Sequence, residues 1–233
     1  MHPYILLNWK NNLEDLFTLA HELGHNMHSL YSGSVQPYIY SDYTIFLAEI
    51  VSTFNEALVM EYLLYTTSYE KFKLAIIERY ISNIVFTFYR QAMFAKFEKI
   101  VYELAEEGEY LTFEKLCEIY KDLVTKYLGP EIEIDEEETY TWAPIPHFYY
   151  NFYVFQYATG LSASSFLIRK LNIEKDNFAN LYIEKFLKAG SSKSSLDILL
   201  DLGLDLSKPD AIIALTNKMN ELIDLYESMY IIK

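Results

Sequence analysis

Two histidines and a glutamate stand at fixed offsets inside an otherwise apolar stretch, LFTLAHELGHNMHSLY: His21, Glu22 and His25. Leu13, Leu16, Phe17, Ala20, Leu23, Gly24 and Met27 recur at helical spacing, so the segment reads as a mostly buried helix. Four residues along a helix advance by roughly 400° and about 6 Å. His21 and His25 therefore project from one face, one turn apart, where two imidazoles can bind one metal ion. Glu22 falls near enough to accept a proton from a water molecule there. Polar groups left unpaired in an apolar setting cost several kcal/mol, so the fold must bring partners to this face. A metal ion is one such partner, and the spacing is the H-E-x-x-H pattern of zinc peptidases.

A catalytic zinc ion takes three protein ligands and keeps one position open. In one variant of the pattern the third ligand is a histidine six residues beyond the second, with glycine midway. Tyr31 and His28 hold those places, which excludes it. A glutamate on a following helix is the alternative. The stretch YTIFLAEIVSTFNEALVMEYL carries a wide apolar face of Tyr43, Phe46, Leu47, Ile50, Val51, Phe54, Leu58 and Tyr62. Glu49 interrupts FLAEIV, where a carboxylate is out of place unless something binds it. Glu56, seven residues on, lies on nearly the same side and is placed to accept a hydrogen bond from a ligand histidine.

Three separated segments, TLAHELGHNMHS at 18–29, FLAEIVSTFNE at 46–56 and PHFYYNFYVFQYATG at 146–160, resemble the thimet oligopeptidase and oligoendopeptidase F family of metallopeptidases. From about residue 3 onward the chain looks like the C-terminal catalytic portion of an oligoendopeptidase F. The resemblance implies a zincin-like helical catalytic domain with one zinc ion. His21, His25 and Glu49 would be its ligands, Glu22 the general base and Glu56 an outer carboxylate. His147, Tyr150 and Tyr157 occupy positions that look equivalent to substrate-contacting and oxyanion-stabilising residues, although the segment is rich in aromatic residues that also pack. The implied activity is hydrolysis of internal bonds in short oligopeptides. Family chains are more than twice as long, and their N-terminal portion, absent here, forms much of the opposite wall of a substrate channel. Two alternatives accompany this reading: a catalytically silent zinc-binding fragment, and a subunit that pairs with a separately encoded N-terminal half or self-associates through HPYILLNW.

The remaining sequence sets bounds. With 52% hydrophobic and 17% aromatic residues the 233-residue chain is globular, and seven Gly and six Pro among long helical patterns indicate an all-α fold. Helical patterns cover 11–31, 43–67, 70–106, 112–128, 147–170, 175–189, 194–202 and 209–230. HPYILLNW has the composition of a short strand, and the chain is expected to form one domain over 1–233. Residues 70–106 read as a buried strut, with Phe72, Ile76, Tyr80, Val85, Phe88, Ala92 and Phe97 inward and no evident chemistry. The formal net charge of −14 argues against a nucleic-acid partner. No apolar run is long enough to span a bilayer. The lone Cys117 forms no internal disulfide and has no evident activating partner, which fits a reducing, cytoplasmic setting.

Overall fold

The computed structural model describes residues 3–230, and these contain helices but no strand. Nine α-helices run in order: α1 Leu13–Val35, α2 Ile45–Thr66, α3 Glu70–Ile84, α4 Arg90–Glu106, α5 Phe113–Leu128, α6 Phe155–Glu174, α7 Asp176–Tyr182, α8 Ser195–Asp201 and α9 Asp210–Tyr230. Two compact units emerge, Met1–Ser82 with Gly160–Lys233, and Asn83–Thr159. Among the described residues no helix is long and apolar enough to cross a membrane.

Local chemistry sets most boundaries. Asn12 opens α1 with a reciprocal cap: its side chain accepts from the Asp15 amide at 3.0 Å, and the Asp15 carboxylate accepts from the Asn12 amide at 3.0 Å. Thr44, Thr112 and Ser194 cap α2, α5 and α8 from one side only, each side chain accepting from a first-turn amide. The all-α expectation, with at most a small strand near the N-terminus, holds, and the described residues contain no strand. Residues 3–9 take no regular secondary structure, and the described residues offer no strand whose amides and carbonyls they could pair with. His2 and the chain end Ile231–Lys233, part of the expected strand and terminal packing, lie outside the described residues.

The core of the first unit joins the apolar face of α2 (Leu47, Ile50, Val51, Phe54, Ala57) to residues of the distant segment 160–230. These include Leu167, Phe178, Phe186, Ile198 and Leu202, all fully buried. The second unit has its own core, in which Met93, Phe94 and Phe97 of α4 meet Tyr120, Leu123 and Val124 of α5, with Trp142 and Phe148 against them. The long 70–106 pattern is not one uninterrupted helix. A π turn at Val85–Tyr89 separates α3 from α4, and Val85, Phe88 and Ala92 are only half-buried. The 147–170 pattern also breaks. A 3-10 turn at Pro146–Tyr149 is followed by Asn151 and Phe152 at φ 49° and 55°, and α6 starts only at Phe155.

α1 and α2 pack closely along their length, and Gly24 is the contact point. A Cβ at Gly24 would sit 2.8 Å from Ser52 Cα and 3.0 Å from the Val51 carbonyl oxygen, both backbone atoms of α2. The buried stripe of α1 is therefore Phe17, Ala20, Gly24, His28 and Ser32. Leu23 and Met27, expected inside, are 42% and 39% exposed, because the close approach at Gly24 turns the face of Ala20, Gly24 and His28 toward α2 instead. Tyr62 of α2, also expected inside, is 67% exposed.

His28 is fully buried, stacked on Tyr43 at 3.5 Å and tilted against Phe186 at 5.6 Å. Neither ring nitrogen has a hydrogen-bond partner among the described residues. Burial, reinforced by the nearby His25, pushes its pKa down to about 3.

Two outcomes follow from this packing. Gly24→Ala must force α1 and α2 apart and should lower the unfolding free energy by about 1–3 kcal/mol, read from the denaturant midpoint. His28 adds an acid sensitivity. The unfolded chain binds its proton below about pH 6.5, whereas the folded chain does so only near pH 3, so stability falls as pH drops through this window. In metal-free protein this should cost about 2 kcal/mol between pH 8 and pH 5. His28→Phe should flatten the profile by that amount.

Candidate metal centre

His21 and His25 lie on consecutive turns of α1, on either side of Gly24, and Glu49 and Glu56 lie on α2 on either side of Ser52. The Gly24–Ser52 contact thus brings four polar side chains together across one helix crossing. The two rings meet nearly edge to face, with centroids 4.8 Å apart and an 84° angle between planes. Their Nε2 atoms are 3.1 Å apart, and Glu49 Oε2 is 3.8 Å from His21 Nε2. One ligand atom each from His21, His25 and Glu49 fits within a mutual 4.8 Å.

The other edge of His21 is fixed. Its Nδ1 donates to Glu56 Oε1 at 2.8 Å, which leaves the Nε2 lone pair directed at His25 and Glu49. Glu56 Oε2 in turn lies 3.7 Å from the Arg79 guanidinium of α3. Asn55 donates to the Ala20 carbonyl at 3.0 Å, a further tie between the two helices. Gly160, near the start of α6, passes close to Glu49: a Cβ there would lie 3.8 Å from Glu49 Cβ. Glu22 is half-buried and pairs with no other described side chain.

The electrostatics favour a cation. Burial opposes a charge on His21, yet the hydrogen bond to Glu56 and the charges of Glu56, Glu49 and Glu22 outweigh it and raise its pKa. His25 moves the other way. Burial and the adjacent His21 lower its pKa, only partly offset by Glu49 and Glu22. With three carboxylates around two imidazoles, one of which is held neutral, the cluster has a net demand for positive charge. Its spacing also suits a metal, since two nitrogens bound tetrahedrally to zinc at about 2.0–2.1 Å are themselves roughly 3.3 Å apart. Two nitrogens and a carboxylate oxygen are a donor set that zinc accepts.

His147, Tyr150 and Tyr157 belong to the second unit and form a separate cluster with Tyr153. The His147 ring stacks on Tyr153 at 5.5 Å and meets Tyr150 and Tyr157 edge-on at 6.1 and 5.8 Å. The Tyr157 hydroxyl is 3.4 Å from His147 Nε2. Between Tyr150 and Tyr157 lies the left-handed pair Asn151–Phe152, a conformation that costs a bulky residue of order 1–3 kcal/mol. Two side chains of α4 hold it: buried Glu98 accepts from the Phe152 amide at 2.7 Å, and Tyr102 donates to Asn151 Oδ1 at 2.9 Å. Burial raises the Glu98 pKa, partly offset by that amide.

Arg79, Glu98, Tyr102 and the Gly24–Ser52 contact were not legible as site features. The long 70–106 pattern, which suggested only a strut, supplies the first three. Their one sequence trace is charge or polarity beside buried positions: Arg79 neighbours Tyr80, and Glu98 neighbours Phe97.

The chain matches Peptidase family M3 over residues 1–217. It is 46% identical over 228 residues to oligopeptidase PepF of Bacillus subtilis (strain 168), a match covering 98% of this chain and 34% of that protein. It is 43% identical over 228 residues to the chromosomal oligoendopeptidase F of Lactococcus lactis subsp. cremoris, covering 96% and 38%. Among solved structures, oligoendopeptidase-F from Enterococcus faecium matches with a TM-score of 0.84 at 36% identity, over 95% of this chain and 40% of that one. The chain therefore spans a little over a third of the length of these curated relatives. A match over most of the chain, joined to an HExxH helix crossed by a glutamate-bearing helix, establishes the assignment: this chain belongs to peptidase family M3.

Proposed function

We propose that this chain carries the active centre of a zinc-dependent endopeptidase of the oligoendopeptidase F type, acting in the cytoplasm on internal bonds of short peptides. One observation carries the reading. Two imidazole nitrogens stand 3.1 Å apart beside the Glu49 carboxylate, with His21 locked by Glu56, and Glu22 pairs with no other side chain among the described residues. His21, His25 and Glu49 would hold one zinc ion. When bound, zinc supplies Lewis acidity that polarises a peptide carbonyl and makes water acidic enough to ionise near neutral pH.

The protein's own groups do the rest. Glu22 accepts a proton from the attacking water and returns it to the departing amine, which requires a carboxylate that is not tied up elsewhere. Glu56 keeps His21 in the tautomer with Nδ1 protonated, so its Nε2 remains a ligand. Tyr157, Tyr150 and His147 carry O–H and N–H groups suited to stabilising the oxyanion of the tetrahedral intermediate and to holding the peptide. Their assignment rests on the family resemblance of segment 146–160. Oligopeptides as substrates follow from the relatives named oligopeptidase and oligoendopeptidase.

A second reading, a silent zinc-binding fragment or a subunit completed by a separate N-terminal half or a second copy, is favoured by one feature. Tyr4, Leu6 and Trp9 are exposed on a segment that forms no strand with any described residue. An internally quenched peptide of roughly ten residues separates the two readings. The zinc-loaded chain should cleave it, and Glu22→Gln should lower kcat by about 10²–10⁴-fold with zinc stoichiometry unchanged. Tight binding of one zinc without any cleavage would move the chain to the second reading.

A further inference from the structure

We propose that Arg79 is a positioning residue of this centre, acting on the metal ligand His21 through Glu56; the inference rests on the zinc site proposed above. The guanidinium of Arg79 is 16% exposed and is held on several sides. Its Nε and one terminal nitrogen donate to the two oxygens of Glu14, each at 2.9 Å. Its plane lies over the Phe17 ring at 3.7 Å, and its other terminal nitrogen points at Met60 Sδ, 3.9 Å away. So gripped by α1 and α2, it presents a positive charge 3.7 Å from Glu56 Oε2.

Glu56 divides its two oxygens accordingly. Oε1 accepts from His21 Nδ1 at 2.8 Å, and Oε2 faces Arg79. Without the guanidinium, a carboxylate only 14% exposed would lose the positive side chain that faces its second oxygen. It would turn toward water or away from its neighbours, and His21 would lose the partner that sets its tautomer and ring angle. Glu14, Arg79, Glu56 and His21 thus form one chain of contacts, running from an exposed carboxylate on the first turn of α1 to the metal ligand two turns along.

The direction of the effect is diagnostic. As a bare positive charge near a dication, Arg79 would weaken metal binding, and its removal would tighten it. As packing alone, its removal would lower stability and leave metal affinity unchanged. As a positioning group, its removal should weaken affinity, by about tenfold for a contact of this kind.

The experiment uses the full chain, stripped of metal and titrated with zinc against a competing chromophoric chelator. Wild type should bind one zinc ion and His25→Ala should not. Arg79→Met should bind about tenfold more weakly, and Arg79→Lys, which keeps the charge but cannot span Glu14 and Glu56 together, should fall between. If Arg79 acts through Glu56, adding Arg79→Met to Glu56→Gln should cost little more than Glu56→Gln alone. Unfolding curves of the metal-free proteins identify any variant that does not fold; Arg79→Lys then carries the test. Equal or tighter zinc binding by the Arg79 variants, or fully additive losses in the double variant, overturns the proposal while the zinc site stands. Failure of wild type to bind zinc, or undiminished binding by His25→Ala, overturns the zinc site and this proposal with it.

Discussion

The contact of Gly24 with the backbone of Ser52 is the constraint on which the rest of the centre depends. Two helices can approach this closely only where one lacks a side chain, and here that position lies between two histidines. The partner position lies between two glutamates, three residues after Glu49 and four before Glu56. Because side chains three and four residues apart share a helix face, one close crossing sets four polar groups against one another. Any residue larger than glycine at position 24 would separate the donors as well as the helices.

That crossing concentrates charge that cannot be left unbalanced. Glu22, Glu49 and Glu56 surround two imidazoles, and the structure answers in two ways. At the outer edge Arg79 faces Glu56, and at the inner edge the two Nε2 atoms and Glu49 converge on a space suited to a cation. The opposite pKa directions of His21 and His25 express the same imbalance. The ring with a carboxylate partner is driven toward its charged form, and the ring without one is driven away from it.

Much of this was readable from the residues, and the failures have physical causes. Periodicity located most of the helices, and the four-residue and seven-residue spacings gave His21 with His25, and Glu49 with Glu56, a shared helix face, as the structure has them. Spacing could not tell which flank of α1 meets α2, so Leu23 and Met27 were assigned inward by hydrophobicity although the contact selects small residues. Arg79 touches Glu14 and Glu56 across long sequence separations, and no local pattern reports such pairings. The aromatic run 148–157 hid a backbone break. Asn151 and Phe152 adopt left-handed angles because Glu98 and Tyr102, some fifty residues away, hold them there. HPYILLNW has strand composition, but a strand exists only when a second one pairs with it.

The placement of His21 and Glu56 also bears on what closing this helix pair requires. His21 and Glu56 are 35 residues apart on successive helices, so their meeting needs only the closure of one short helical hairpin. The apolar back of α2 waits for residues beyond 160, among them Leu167 and Phe178. Closing that longer loop costs roughly 1 kcal/mol more in chain entropy, and the long second unit intervenes in sequence. Across small proteins, a larger share of local contacts goes with faster folding. A metal captured by the α1–α2 hairpin would add its binding energy to that short closure, a stabilisation that does not depend on the longer one.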